Sequence, residues 1–157
     1  MELPQLKIDG LVARLPIIQG GMAVRISTGA LAGAVARTGA IGVIGASGMA
    51  FDELRKEIQI ARELAAGGIV GINIMFAARE FWGIVQTAVK EKIDFIITGA
   101  GFSRAIFKIG REGTTPIVSI VSTARLAETA AKLGASAIVA VSQQLAVRDG
   151  NNKRTKT

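Results

Sequence analysis

Bare backbone, one amide and a few small hydroxyls, all set where strands end, are the groups through which this chain could do chemistry. Residues 16–22 (PIIQGGM) carry a buried-strand pattern that stops in Gly20, Gly21 and Met22. A strand ending this way lets a flat ligand lie directly against the chain, because no Cβ stands between them. Similar ends follow at Gly45-Ala46-Ser47-Gly48 and at Thr98-Gly99-Ala100-Gly101, and between them Asn73 interrupts the apolar run 71–75. Strand-to-helix turns call for glycine in any case, but a succession of such ends points to a ligand floor along one edge of a sheet. A buried amide at Asn73 must find partners for its donors and its acceptor. Neighbouring backbone or the polar edge of a heterocycle would serve equally.

Other chemistries fall away by residue type. The chain has no cysteine and no histidine, so disulfides, thiolate nucleophiles, zinc–thiolate sites and a Ser-His-Asp arrangement are all excluded. Gly99-Ala100-Gly101 begins like a dinucleotide fingerprint, but Arg104 stands where its third glycine belongs. Gly45-Ala46-Ser47-Gly48-Met49 lacks the closing glycine of a nucleophile elbow and reads as a turn. No lysine falls at a strand end, and no carboxylate cluster suggests a metal site; a Schiff-base mechanism is not expected.

The elements that must position these groups alternate regularly. Strand-like runs at 16–19, 41–44, 69–75, 95–98, 117–121 and 137–141 recur at roughly 21–28-residue intervals, separated by helical patterns. Ser27, Asp52, Ser103 and Thr123 are the expected helix N-caps, and Gly39, Gly67 and Gly134 the expected stops. Six strands alternating with five helices predict a parallel sheet covered by helices, either doubly wound or a (β/α)8 barrel. Half of the 157 residues are apolar and only 4% aromatic, which suits buried parallel strands under small-faced helices.

The formal charge is +7 and the sequence pI near 10.4, but the basic residues are spread along helices beside acidic neighbours. Only the tail from Arg148 onward concentrates them, without interleaved aromatics; nucleic-acid binding is not expected. No signal-peptide pattern and no run long enough to span a bilayer is present. A cytoplasmic protein without a membrane partner is the expectation.

The succession PIIQGGM (16–22), GAIGVIG (39–45), GINIM (71–75), ITGAG (97–101) and PIVSIVSTARLAETAAKLGASAIV (116–139) resembles the nitronate monooxygenase family. That family was formerly called 2-nitropropane dioxygenase and includes the flavin-dependent enoyl-acyl-carrier-protein reductases. The similarity runs from about Leu6 to Val141. It implies an α/β fold, a TIM-type (β/α)8 barrel, here incomplete at about six strands and five helices, with FMN held non-covalently at the C-terminal mouth. Family members oxidise alkyl nitronates with oxygen, or pass hydride from a reduced nicotinamide to an enoyl thioester. Carried over residue by residue, Gly20, Gly21 and Met22 would lie beneath the isoalloxazine ring. Asn73 would bond its polar edge, Thr98, Gly99 and Gly101 would border ring and substrate, and Gly45 and Ala46 would complete the floor.

The likeness breaks after Val139. Where the family continues into a run like EGxEAGGHxG that carries its catalytic histidine, this chain has Val141, Ser142 and Gln143, then a polar basic tail over 142–157. The expectation is therefore a flavin-binding barrel part over 1–141, from a frame slip or truncated gene, with weak or no turnover and two unpaired edges that favour self-association. The alternatives are a non-catalytic flavin-binding fragment and the remnant of an enoyl-acyl-carrier-protein reductase.

Overall fold

The structure, a computed structural model, describes residues 3–141; the expected tail over 142–157 lies outside the described residues. Two short strands come first, β1 (Leu6–Ile8) and β2 (Leu11–Ala13), followed by α1 (Gly29–Arg37), β3 (Gly42–Gly45) and α2 (Phe51–Ala65). Then come β4 (Val70–Met75), α3 (Phe81–Lys90), β5 (Phe95–Gly99), α4 (Arg104–Glu112), β6 (Ile117–Val121), α5 (Ala124–Leu133) and β7 (Ala137–Ala140). Strands β3 to β7 form one parallel sheet in sequence order. The result is an incomplete (β/α) barrel wall with its helices on the outside.

Strand parity divides the core in two, since alternate residues face opposite sides of a sheet. Ile44, Ile72, Ile74, Ile96 and Ile117 face the helices, whereas Ile41, Val43, Phe95, Ile97 and Val118 face the barrel interior. On the helical side α2 buries Leu54, Ile58, Ala61 and Ala65, one stripe at helical spacing. Each large aliphatic side chain buried there stabilises the fold by about 1.5–3 kcal/mol. Helix α1 buries only Gly29, Ala32, Gly33 and Ala36, and the reason is distance. A Cβ on Gly29 would fall 2.0 Å from the Glu57 carbonyl oxygen, and one on Gly42 would fall 1.9 Å from that of Ala32. The two helices and β3 touch backbone to backbone.

The interior cluster has a floor that the alternation of strand and helix did not predict. β1 and β2 form an antiparallel hairpin, pairing Leu6 with Ala13 and Ile8 with Leu11, and Ile8 and Ala13 join the interior cluster. Its turn is Asp9-Gly10, with Asp9 at φ +49°. An Asp-Gly pair between short apolar runs is a hairpin signal, overlooked because each arm is only three residues long.

Segment 16–19 departs from the expected strand. It makes a single parallel bridge, Ile18 to Ile41, with Ile41 N–H donating to the Ile17 carbonyl (2.9 Å) and Gln19 N–H to the Ile41 carbonyl (3.0 Å). At the next rung Val43 N–H donates to the Gln19 side-chain oxygen at 3.1 Å. The ladder ends because a side chain takes the place of the backbone carbonyl.

Two expected caps also move. The N-cap of α1 is Thr28, not Ser27, and its side chain makes no capping bond; the Gly29 N–H instead donates to the Glu57 carboxylate. The N-cap of α2 is Ala50, not Asp52. Ala50 has no side-chain acceptor, but its N–H donates to Glu53 at 3.4 Å, half of a capping box. Ser103 and Thr123 do occupy N-cap positions, and the Thr123 hydroxyl accepts from Leu126 N–H.

Candidate functional site

The C-terminal ends of the strands bring Gly21, Met22, Gly45 and Asn73 into one contiguous patch. Asn73 pairs across the sheet with Gly45, and its Nδ2 donates to the Gly21 carbonyl at 2.9 Å. A Cβ on Gly21 would fall 2.4 Å from Asn73 Cβ and 2.9 Å from Val43 Cγ1. A Cβ on Gly45 would fall 2.4 Å from the Met22 carbonyl oxygen. These glycines are required because the 20–23 backbone lies directly on the ends of β3 and β4. Gly20 is open, with nothing within 4 Å of an added Cβ, and Met22 is 46% exposed.

Asn73 is left with one buried group unsatisfied. Its Oδ1 has no hydrogen-bond partner among the described residues. Burying an acceptor without a donor costs about 1–3 kcal/mol.

The other expected residues divide by parity. Thr98 and Ala46 are fully buried on the helical side of the sheet, and the Thr98 hydroxyl lies 3.5 Å from that of Ser119. At the strand ends these two present backbone only; the Ala46 N–H is taken by the Asn73 carbonyl at 2.9 Å. Gly99 and Gly101 build a second lip around Phe76. The Phe76 N–H donates to the Gly99 carbonyl at 2.8 Å, and Gly101, at φ +112°, would place a Cβ 3.4 Å from the Phe76 ring.

Two residues central to the patch escaped the sequence reading. Ser27, fully buried, donates from Oγ to the Gly20 carbonyl (2.9 Å) and accepts from Met22 N–H (2.9 Å). Its own N–H donates to the Met22 carbonyl, and its carbonyl accepts from Gly45 N–H. Gln19 Nε2 donates to Ser27 Oγ at 2.8 Å and also to the Gly20 carbonyl. The capping motif drew attention to Ser27 for a different reason, and nothing in the spacing marks Gln19.

The loop over 22–28 is held from outside by Arg25 and Glu53, whose paired bonds measure 2.8 and 3.1 Å. That hydrogen bond raises the Arg25 pKa, and it holds Glu53 below its usual carboxylate value against a smaller opposing effect of burial. A depressed carboxylate contributes stability that is present above its unfolded pKa and is lost as pH falls through the folded one. Thermal stability should therefore drop on acidification below about pH 4, and Glu53→Gln should flatten that part of the melting-temperature profile. An identical acid slope in the variant would remove the pair from the explanation. Among the described residues no group of three acidic, histidine or cysteine side chains could hold a metal.

In (β/α) barrels ligands gather at the C-terminal ends of the strands, and this patch lies at those ends of β3 and β4. The sequence agrees. Residues 5–81, which hold the motifs at 16–22, 39–45 and 71–75, match the family described as nitronate monooxygenase, in agreement with the resemblance read from them. Among solved structures, FabK from Thermotoga maritima is similar at 31% identity and a TM-score of 0.77, over 82% of this chain and 40% of that one. A nitroalkane oxidase from Streptomyces ansochromogenes shares the fold at 21% identity and a TM-score of 0.71, over 82% of this chain and 46% of its own. An IMP dehydrogenase/GMP reductase-like protein from Corynebacterium glutamicum also shares it, at 15% identity and a TM-score of 0.63, with 87% and 47% covered. The chain thus spans less than half the length of these proteins. No curated protein matches it.

Proposed function

We propose that the strand-end patch binds FMN and that the chain is the flavin-holding part of an oxidoreductase related to nitronate monooxygenases. One observation carries the reading: Asn73 Oδ1 is a buried acceptor with no donor, beside the bare backbone of Gly21. A flat heterocycle with a ring N–H would fill that acceptor while lying over the open backbone of Gly20, where nothing stands within 4 Å of an added Cβ. Gly20, Gly21, Met22, Gly45 and Asn73 would hold the ring, with the backbone of 98–101 at its border. The flavin would supply the electron-transfer chemistry. This chain's residues bind it, orient it and satisfy its polar edge.

Without histidine the chain offers no imidazole to take a proton from substrate, so the reading is binding with weak or no turnover. The substrate class is an alkyl nitronate. A second reading, enoyl thioester reduction, is favoured by the higher identity to FabK than to the nitroalkane oxidase. A cytoplasmic location accompanies either.

Titration of the purified chain with FMN, read by quenching of flavin fluorescence, tests the site. Asn73→Leu should weaken binding at least roughly tenfold while changing stability by no more than about 1 kcal/mol, because an orphaned acceptor leaves with the donor to Gly21. Equal affinity in the variant would overturn the assignment. Bound FMN without nitronate consumption would favour the binding-module form of the proposal.

Self-association belongs to the same reading. Among the described residues β7 and segment 16–19 have a sheet neighbour on one side only, and β7 is partly exposed where β3 and β5 are buried throughout. Open apolar edges template pairing with another chain. Size-exclusion chromatography should show a concentration-dependent oligomer, and a monomer at every concentration would refute it.

No helix among the described residues is long and apolar enough to cross a membrane.

A further inference from the structure

We infer that Gln19 and Ser27 are positioning residues that make the 20–22 floor donor-only toward its ligand, an inference that rests on the flavin reading of the patch. Every carbonyl of the floor is turned inward and taken up. That of Gly20 accepts from Ser27 Oγ, Gln19 Nε2 and Met22 N–H. That of Gly21 accepts from Asn73 Nδ2, and that of Met22 from Ser27 N–H. With these acceptors engaged, the N–H groups of Gly20 and Gly21, which donate to no acceptor among the described residues, are the floor's remaining polar groups, and Asn73 Oδ1 remains as the acceptor beside them.

Such a surface selects for polarity as well as flatness. It favours a ring whose edge carries carbonyl oxygens or unprotonated nitrogens over the floor and one N–H toward Asn73. A ring with the reverse pattern would leave the floor's amides and the Asn73 acceptor without partners, which low-dielectric surroundings penalise. Donors directed at a flavin also favour its electron-rich reduced form, so the clamp bears on potential as well as affinity.

The two side chains divide the work. Ser27 is fully buried and reaches both Gly20 and Met22, fixing the loop's turn. Gln19 uses its oxygen to end the ladder at Val43 N–H (3.1 Å) and its nitrogen to hold Ser27 (2.8 Å) and Gly20. Gln19→Glu keeps the first function and replaces the amide donor by a carboxylate oxygen, which cannot donate to the Gly20 carbonyl or to Ser27 Oγ. Ser27→Ala removes the hub with almost no change of volume.

The test compares the unsubstituted chain, Ser27→Ala and Gln19→Glu by FMN titration, by the reduction potential of bound FMN, and by amide exchange at Met22 and Val43, with circular dichroism reporting the fold. Both variants should bind FMN roughly tenfold more weakly and shift its potential to more negative values. Exchange at Met22 should accelerate about tenfold in Ser27→Ala, in keeping with one lost hydrogen bond. Val43 protection should persist in Gln19→Glu, showing that the ladder end survives. If both variants bind FMN with unchanged affinity and potential, or if Met22 exchange is unchanged in Ser27→Ala, the inference is overturned although the flavin site stands. If the unsubstituted chain leaves FMN free, the flavin reading itself falls and the inference with it. A variant that loses its circular dichroism signature would make the residue a determinant of the fold and would equally overturn a positioning role.

Discussion

Phe95→Ala should lower the unfolding free energy by about 3–5 kcal/mol, the range for removing a buried aromatic ring. Phe95 is fully buried in the barrel interior, and its ring lies against Gly71 so closely that a Cβ there would fall 2.3 Å from Cζ. The missing Cβ on β4 and the ring on β5 are two halves of one packing solution. Backbone on either side cannot collapse into the vacated space, because each strand is hydrogen-bonded to both neighbours, so a cavity would remain. Urea unfolding should show the midpoint falling at constant slope. Asn73 sits two residues beyond Gly71 on the same face of β4, so FMN affinity should fall with stability. An unchanged midpoint would mean that the interior is not packed as described.

Gly42→Ala should cost about 3 kcal/mol, the upper end for overpacking, although it adds one methyl group. The added Cβ would meet the Ala32 carbonyl oxygen at 1.9 Å and its carbonyl carbon at 2.6 Å. Both are backbone atoms of α1 and cannot rotate away. Relief requires α1 to lift from β3, and α1 is itself in backbone contact with α2 at Gly29 and Gly33. The loss should therefore spread to the helix pair and appear as lost amide protection along α1 as well as a lower midpoint. Gly10→Ala, whose Cβ would meet nothing within 4 Å, is the matched control and should change stability by less than about 1 kcal/mol. Equal effects at the two positions would contradict the contact argument.

The two glycines show how differently a residue can be legible. That glycine belongs at a strand end was readable; that Gly42 is a contact point for a helix was not, because the contact partner lies ten residues away on another element. The hairpin at 6–13 announced itself through Asp9-Gly10, yet three-residue arms carry too little alternation to stand out. Gln19 read as an ordinary strand residue. Its side chain replacing a carbonyl on the ladder is a geometric event without a periodic signature. Ser27 had the residue type and place of an N-cap, and the loop it closes drew its hydroxyl elsewhere.

The sequence by itself determined the alternation of strands and helices and the strand ends at which a ligand floor was expected. Those are properties of apolar periodicity and turn chemistry, local in the chain. By holding no histidine or cysteine, it also excluded imidazole and thiolate chemistry from this chain's own residues. Tertiary structure decided which way each group faces. Strand parity put Asn73 on the interior face and the Thr98 side chain against Ser119, one residue's offset in register separating an interior amide from a core hydroxyl. Packing of the 20–27 loop decided that the floor's carbonyls turn inward. Both outcomes depend on atoms brought together from distant parts of the chain, and only the folded arrangement fixes them.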